Sequence, residues 1–187
     1  ALHVWNPLVV PATGFALVAW VRPRWLASHR WLSRGQMSKE TLVLSAATIP
    51  LSAGALVAWA YTAQPDLSMY ADMIPGSGIG MVIGAAVVFA VFNALAEEMV
   101  FRGVIWQALA DTGLGSVAVL LIQAFAFGVF HFGGVPSGLA GVGLATLYGL
   151  ALGGIRLLSK GLLFPIVVHA FADLTIFLII MRLAERW

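Results

Sequence analysis

The sequence predicts an all-α polytopic membrane protein, a bundle of about six transmembrane helices within one domain, residues 1–187. Of the 187 residues, 61% are hydrophobic and only 10% are charged. The mean hydropathy of +0.97 is far above that of soluble domains, in which about 25% of residues are charged. Apolar runs also recur at the length of about 20 residues that a helix needs to cross the hydrocarbon core. We therefore expect most of this chain to lie within a membrane.

Six apolar segments account for the predicted helices, and residues that favour turns separate them. Glycine and proline cluster between the segments, as expected at helix ends and loops. The predicted segments cover residues 5–21, 41–61, 79 onward through the pair Glu97-Glu98, 116–131, 137–152 and 162–181. No internal repeat supports a repeat-based transporter architecture.

Basic residues predict the orientation of these segments. When the loops are assigned alternately to the two sides, seven lysines and arginines fall on one side and two on the other. The first group is Arg22, Arg24, Arg30, Arg34, Lys39, Arg156 and Lys160, and the second is Arg182 and Arg186. This bias makes the 22–40 and 154–161 loops cytoplasmic and explains the net charge of +2 without a nucleic-acid partner. Residues 22–40 fit either a plain loop or an interfacial helix, because tryptophans lie among their bases.

Three ionisable residues lie inside the third apolar segment, namely Glu97, Glu98 and Arg102. Each charge near the bilayer centre costs roughly 2.5–3.5 kcal/mol on insertion scales, so a partner network or a function must compensate. Glu98 and Arg102 are four residues apart, which predicts an ion pair along one helix face. Glu97 is rotated from that face by about 100° and is left free to meet a cavity.

A glycine-rich break follows this segment and predicts an antiparallel hairpin. Gly113-Leu114-Gly115 separates two helical arms, with Glu97 lying 17 residues before Leu114 and His131 lying 17 residues after it. At 1.5 Å per residue, both side chains would lie about 25 Å from the turn if the arms are straight. We therefore expect Glu97 and His131 to face each other on neighbouring helices.

The last apolar segment adds His169 and Asp173, which are four residues apart on one helix face. A single membrane histidine usually serves as an interhelical hydrogen-bonding group, but a histidine–aspartate pair favours a functional role. Asn93, one turn before Glu97, and Gln123 in the fourth segment could line the same cavity. For these two residues we favour the interpretation that they join helices by hydrogen bonds.

A carboxylate and an imidazole that meet in a dry cavity can activate water. Such a pair can remove a proton from water and return it to a leaving amine, a step worth about 10²–10⁴-fold. A second polar pair can stabilise the oxyanion of a tetrahedral intermediate. The groups needed to hydrolyse a peptide bond are thus present without a serine or cysteine nucleophile.

Three short motifs carry a resemblance to a known family. Glu97-Glu98-x-x-x-Arg102, Phe127-x-x-x-His131 and His169-x-x-x-Asp173 occur in the order and approximate spacing of the family. Together they resemble the CAAX prenyl endopeptidase and bacteriocin-processing (Abi) family of intramembrane glutamate proteases. The resemblance covers residues 79–181, and the earlier segments are not diagnostic.

The resemblance implies a role for each motif residue. Glu97 and His131 would activate water, and His169 and Asp173 would stabilise the oxyanion. Glu98, Arg102 and Phe127 would support the site. Members of the family have asparagine or aspartate at the last position, and an ionised Asp173 cannot donate to an oxyanion. Either Asp173 is protonated, or it holds His169 in its charged donor form.

The compact chain resembles bacterial members, which implies a bacterial cytoplasmic membrane, a membrane-associated peptide or protein substrate, and no cofactor. Two other classes of function fit parts of the sequence. One is an accessory subunit with this fold, which would bind stoichiometric partners and lipids within a larger membrane complex. The other is a metalloprotease, because Glu97, Glu98, His131 and His169 are plausible zinc ligands by type. The sequence has no His-Glu-x-x-His helix, so this second alternative is the weaker one.

Overall fold

The computed structural model describes residues 33–72, 74 and 78–183, and within these ranges it is helical without strands. The prediction of an all-α membrane bundle is therefore confirmed. The helices are α1 Lys39–Ala63, α2 Ser68–Ala71, α3 Ile79–Glu98, α4 Trp106–Asp111, α5 Ser116–Phe130, α6 Gly138–Ser159 and α7 Leu163–Leu183. A π-helical segment, Met99–Ile105, joins α3 to α4, and a 3₁₀ turn, His131–Gly133, follows α5.

Five helical stretches in the described part of the chain are long and apolar enough to cross a membrane, as an integral multi-pass protein requires. They are Lys39–Ala63, Ile79–Asp111, Ser116–Gly133, Gly138–Ser159 and Leu163–Leu183. These match the second to sixth predicted segments. The first predicted segment, 5–21, and residues 22–32 lie outside the described residues. Residues 33–38 are described and are not helical, so this end of the proposed interfacial helix is not formed.

The predicted end of the fifth segment at residue 152 was wrong, because α6 continues for two further turns to Ser159. Gly153 and Gly154 do not end the helix, and in a membrane bundle such glycines permit close helix packing. A Cβ atom at Gly153 would collide with the side chain of Leu120 on α5. The helix instead ends where Lys160 adopts the left-handed conformation, with φ of 55°.

The basic end of the bundle is closed by hydrogen bonds between two loops. The Gln36 amide donates to the Ser159 carbonyl at 2.6 Å, and the Leu162 amide donates to the Ser33 carbonyl at 3.0 Å. The beginnings of α1 and α7 therefore lie at the same end as the C-terminus of α6, as the alternation of the loops predicts. Among the described residues, this end carries Arg34, Lys39, Arg156 and Lys160.

The bundle interior contains apolar clusters with polar side chains between them. One cluster joins α1, α3 and α7 through residues such as Trp59 and Phe177. Another is formed around Phe101 and Phe127, where the π-helical segment meets α5. The outward faces of the helices are apolar, as expected for surfaces in contact with lipid. The buried ionisable side chains all lie near the facing surfaces of α3, α5, α6 and α7.

Candidate active site

Glu98 and Arg102 form the predicted ion pair, with Arg102 Nη1 2.8 Å from Glu98 Oε1 and both side chains fully buried. The same carboxylate oxygen accepts a hydrogen bond from His169 Nδ1 at 2.7 Å. Arg102 Nη2 also donates to the Gly149 carbonyl on α6 at 3.3 Å. The guanidinium carbon lies 4.3 Å from the centre of the Phe127 ring. We call Glu98, Arg102, Phe127 and Gly149 the Glu98 network, which fixes α3, α5 and α6 around one ion pair.

A π-helical turn, which the sequence did not predict, carries Arg102. The spacing estimate assumed straight arms, and the first arm departs from that assumption at Met99–Ile105, which is wider than an α-helix. Arg156 on α6 donates from Nε to the Arg102 carbonyl at 3.4 Å, so a second arginine contacts the backbone of this turn. Short π-helical turns occur frequently at functional sites.

Glu97 lies next to this network and has a different environment. Its side chain is 5% exposed, and its Oε2 atom lies 3.6 Å from His131 Nε2 and 3.5 Å from His169 Nε2. Among the described residues, Oε2 has no hydrogen-bond partner. The antiparallel geometry inferred from the spacing around Leu114 therefore does bring Glu97 and His131 together. We call Glu97, Asn93, His131, His169 and Asp173 the Glu97 pocket.

The two histidines are oriented by hydrogen bonds from their Nδ1 atoms. His131 Nδ1 lies 2.8 Å from the Phe127 carbonyl, and His169 Nδ1 contacts the Glu98 carboxylate. Because a carbonyl oxygen can only accept, His131 Nδ1 carries a proton and Nε2 of the neutral ring is an acceptor. The Nε2 atoms of both rings thus point towards Glu97, as in sites where a hydrogen bond at one ring nitrogen orients the other.

Asp173 and Asn93 complete the Glu97 pocket from two helices. Asp173 Oδ1 lies 3.9 Å from His169 Nε2, which places the predicted histidine–aspartate pair on one face of α7. Asn93 Nδ2 donates to Glu97 Oε1 at 3.2 Å and to Asp173 Oδ2 at 3.3 Å. Asn93 does join α3 to α7, as we favoured, but it does so through two carboxylates of the candidate site.

Gln123 lies outside this pocket and joins helices as the favoured interpretation states. Its Nε2 atom donates to the Gly149 carbonyl on α6 at 3.2 Å and to the Leu120 carbonyl on its own helix. The side chain is fully buried. Gly149 therefore accepts from both Gln123 and Arg102, which ties α5 and the π-helical turn to the same point on α6.

Sequence reasoning missed Tyr148, which contacts the site from α6. Its hydroxyl donates to the Val168 carbonyl at 3.1 Å, immediately before His169 along the chain. The edge of its ring also packs against the His169 ring, with the centroids 5.6 Å apart. Tyr148 is the only tyrosine in residues 79–181, and this single phenol in a glycine-rich apolar span was the available signal.

A cavity of about 320 Å³ adjoins the Glu97 pocket. Its polar lining includes His131, His169 and Asp173, while the remaining lining is largely apolar and comes mainly from α1, α6 and α7. Glu97 is not among the lining residues, but its carboxylate lies within 3.6 Å of the two imidazoles that are. Leu51 and Leu147 also line the cavity, and they are 72% and 66% exposed. Within the described residues, the cavity therefore reaches the bundle surface between α1 and α6.

The ligand types proposed for a metalloprotease do not assemble as a metal site in the described part of the chain. Glu98 is occupied by Arg102 and by His169 Nδ1. Within that part, no three histidine, aspartate or glutamate side chains are arranged to hold a metal ion together. The geometry is instead that of an acid and two imidazoles that share a pocket.

The comparisons with known proteins concern the part of the chain that contains this site. A family model described as type II CAAX prenyl endopeptidase Rce1-like matches residues 78–175, just over half of the chain. The matched region contains all three motifs, the π-helical turn and every residue of the Glu97 pocket. No curated protein and no solved structure matches the chain.

Proposed function

Because the chain belongs to the type II CAAX prenyl endopeptidase Rce1-like family, we propose that it is an intramembrane glutamate-type endopeptidase. In this proposal it hydrolyses a peptide bond of a membrane-associated protein or peptide. The observation that carries the proposal is the position of Glu97 Oε2, buried and within 3.6 Å of two imidazole Nε2 atoms. A carboxylate and an imidazole this close together can act on a single water molecule as general base and hydrogen-bonding partner.

Glu97 and His131 act on the water in this mechanism. Glu97 Oε2 and His131 Nε2 both accept hydrogen bonds, so they bind the two protons of one water and turn its oxygen lone pair towards the cavity. As the oxygen attacks the peptide carbonyl carbon, Glu97 takes the proton. The carbon–nitrogen bond then breaks, and the proton passes to the leaving amine. Because water attacks directly, no acyl-enzyme forms.

His169 stabilises the oxyanion in the same mechanism. Its Nδ1 is held by Glu98, so its Nε2 keeps a fixed direction towards Glu97 and Asp173, of which Asp173 lines the cavity. Three carboxyl groups lie within 4 Å of its ring nitrogens, and the protonated ring can donate from both of them. This geometry favours the alternative in which Asp173 helps to keep His169 in its charged donor form. A donor of this kind typically contributes about 3–4 kcal/mol to transition-state binding.

The site then lies in a bacterial cytoplasmic membrane, with residues 22–40 and 154–161 on the cytoplasmic side. The support for this orientation is the excess of basic residues at one end of the bundle. The lateral opening between α1 and α6 suits a substrate that is itself embedded in lipid. The chemistry of the lining, largely apolar with His131, His169 and Asp173 among it, fits a peptide presented next to an apolar group.

A cleavage assay with purified variants tests the proposal. We expect Glu97→Ala and His131→Ala each to lower cleavage of a membrane-proximal reporter peptide by about 10²–10⁴-fold, because each removes one of the two groups that bind the water. Phe92→Ala is the matched control, since Phe92 lies on α3 near Glu97 but is 65% exposed. Thermal unfolding and gel filtration confirm that each variant is folded. Cleavage at the wild-type rate by a folded Glu97→Ala or His131→Ala protein would refute the mechanism.

A further inference from the structure

Asn93 belongs to none of the three motifs, yet it contacts both carboxylates of the Glu97 pocket. It lies four residues before Glu97 on α3, so the two side chains share a helix face. One amide nitrogen, Nδ2, is 3.2 Å from Glu97 Oε1 and 3.3 and 3.4 Å from the two oxygens of Asp173. A primary amide carries two N–H groups, so one can serve each carboxylate at the same time.

The hydrogen bond from Asn93 gives the two carboxylate oxygens of Glu97 different surroundings. Oε1 is engaged by Asn93, whereas Oε2 has no hydrogen-bond partner among the described residues and faces both imidazoles. A carboxylate without such an anchor can rotate and exchange its two oxygens. The amide therefore determines which oxygen meets the water and in which direction its free lone pairs point.

The groups around Glu97 make this anchor necessary. His131 approaches from the 3₁₀ turn after α5, and both His169 and Asp173 approach from α7. Glu98 and Arg102 lie on the same chain segment but pair with each other, and Tyr148 on α6 donates to a backbone carbonyl. Asn93 is thus the neutral donor that lies between two carboxyl groups, which would otherwise repel each other at close range.

We propose that Asn93 is a positioning residue that orients the Glu97 carboxylate for water activation by bridging it to Asp173. This inference rests on the proposed function. It differs from a purely structural role, in which any hydrogen bond between α3 and α7 would suffice. The two roles predict opposite effects on cleavage when the amide of Asn93 and the carboxylate of Asp173 are exchanged. A structural role predicts that cleavage is restored, and a positioning role predicts that it stays low.

The first variant, Asn93→Leu, removes the donor and keeps a similar side-chain volume. We expect kcat/KM to fall by about 10- to 100-fold, the range expected when one hydrogen bond to a charged group is lost. The pH profile of kcat/KM should also change, because Glu97 and Asp173 lose their shared donor. Phe92→Ala is again the matched control on the same helix and should alter neither quantity.

The second variant exchanges the two groups, as Asn93→Asp with Asp173→Asn. It keeps one amide and one carboxylate between α3 and α7, so thermal stability should return towards that of the wild type. It places a carboxylate where Glu97 needs a donor, so kcat/KM should stay at least tenfold below the wild-type value. Restored cleavage in the exchanged protein would overturn the proposal and leave Asn93 a structural hydrogen-bonding residue.

A spectroscopic measurement separates failure of this inference from failure of the proposed function. NMR of ¹⁵N-labelled histidine reports the ring nitrogens of His131 and His169 whether or not the protein cleaves peptides. We expect Asn93→Leu to shift the Nε2 signals of both rings, since Glu97 Oε2 moves relative to them. If those signals and kcat/KM are unchanged in a folded Asn93→Leu protein, the inference is wrong. If the wild type cleaves nothing, the proposed function fails and the NMR result alone decides the role of Asn93.

Discussion

Two adjacent glutamates lie in different environments, and the contrast separates a carboxylate held in a short ion pair from one that faces two imidazoles. In the Glu98 network, one carboxylate oxygen accepts from Arg102 and from His169 at 2.8 and 2.7 Å. In the Glu97 pocket, the oxygen that faces the imidazoles is 3.5 and 3.6 Å from them, too far for short hydrogen bonds. The helical rotation between consecutive residues is enough to place the two side chains in these different surroundings.

His169 is the residue that connects the two regions. Its Nδ1 belongs to the Glu98 network, and its Nε2 belongs to the Glu97 pocket. The buried ion pair thus holds an imidazole that reaches the cavity. The contrast teaches that the Glu98 network supplies rigidity through a short ion pair, while the Glu97 pocket leaves a carboxylate oxygen facing two imidazoles that line the cavity.

The largest expected effect is on activity, when the Glu97 carboxylate alone is changed. Glu97→Gln keeps the side-chain shape but cannot accept a proton from water, so cleavage should fall by about 10²–10⁴-fold. Thermal stability should be unchanged or raised, because a buried charge is removed. A large loss of stability in Glu97→Gln would contradict the contrast between the two glutamates, because Glu97 would then have the structural role assigned to Glu98. Denaturation and cleavage are measured on the same preparation.

The next effect is on stability, when the Glu98 network loses one charge. Glu98→Gln leaves the Arg102 guanidinium buried without its counter-charge, which typically costs about 3–5 kcal/mol. The double variant Glu98→Leu with Arg102→Leu removes both charges and should recover much of this loss, because replacing a buried ion pair by apolar residues is often neutral. Reversible unfolding in detergent measures both values. Equal stability of Glu98→Gln and the wild type would contradict the assignment.

The smallest effect is expected at the contact between Tyr148 and the helix that carries His169. Tyr148→Phe removes one hydrogen bond to the Val168 carbonyl and keeps the ring against His169, so the loss of stability should be about 1 kcal/mol. Cleavage should fall by less than about tenfold, because the His169 ring remains held by Glu98. A fall in cleavage as large as that expected for Glu97→Gln would contradict this account, because it would mean that Tyr148 takes part in catalysis.

Much of this arrangement could be predicted from residue spacing. Long apolar segments specify membrane helices, because backbone groups in lipid must be satisfied within the helix. Pairs four residues apart, such as Glu98 with Arg102 and His169 with Asp173, share a face by helical geometry. Glu97 and His131 are equally far from Leu114 along the chain, which predicted that they lie at the same depth. The two side chains still meet, although the first arm contains a π-helical turn.

The remaining features depend on contacts between helices that spacing does not encode. The π-helical turn at Met99–Ile105 accepts a hydrogen bond at the Arg102 carbonyl from Arg156, which lies 54 residues after Arg102 in the chain. The continuation of α6 past residue 152 goes with close packing of Gly153 against α5, which spacing along the chain does not show. Asn93 was one of several polar residues in apolar segments. Its hydrogen bonds to Glu97 and to Asp173, 80 residues away, distinguish it from Gln123.

The central claim is that Glu97 and His131 act on the same water, and a double-mutant cycle on kcat/KM tests it most directly. Glu97→Asp and His131→Asn are measured singly and together against the wild type, because these mild variants leave activity to measure. We expect the double variant to lose about as much as the more damaging single variant, since groups that act as a unit are strongly non-additive. If the two losses simply multiply, Glu97 and His131 act independently, and the shared-water mechanism is wrong.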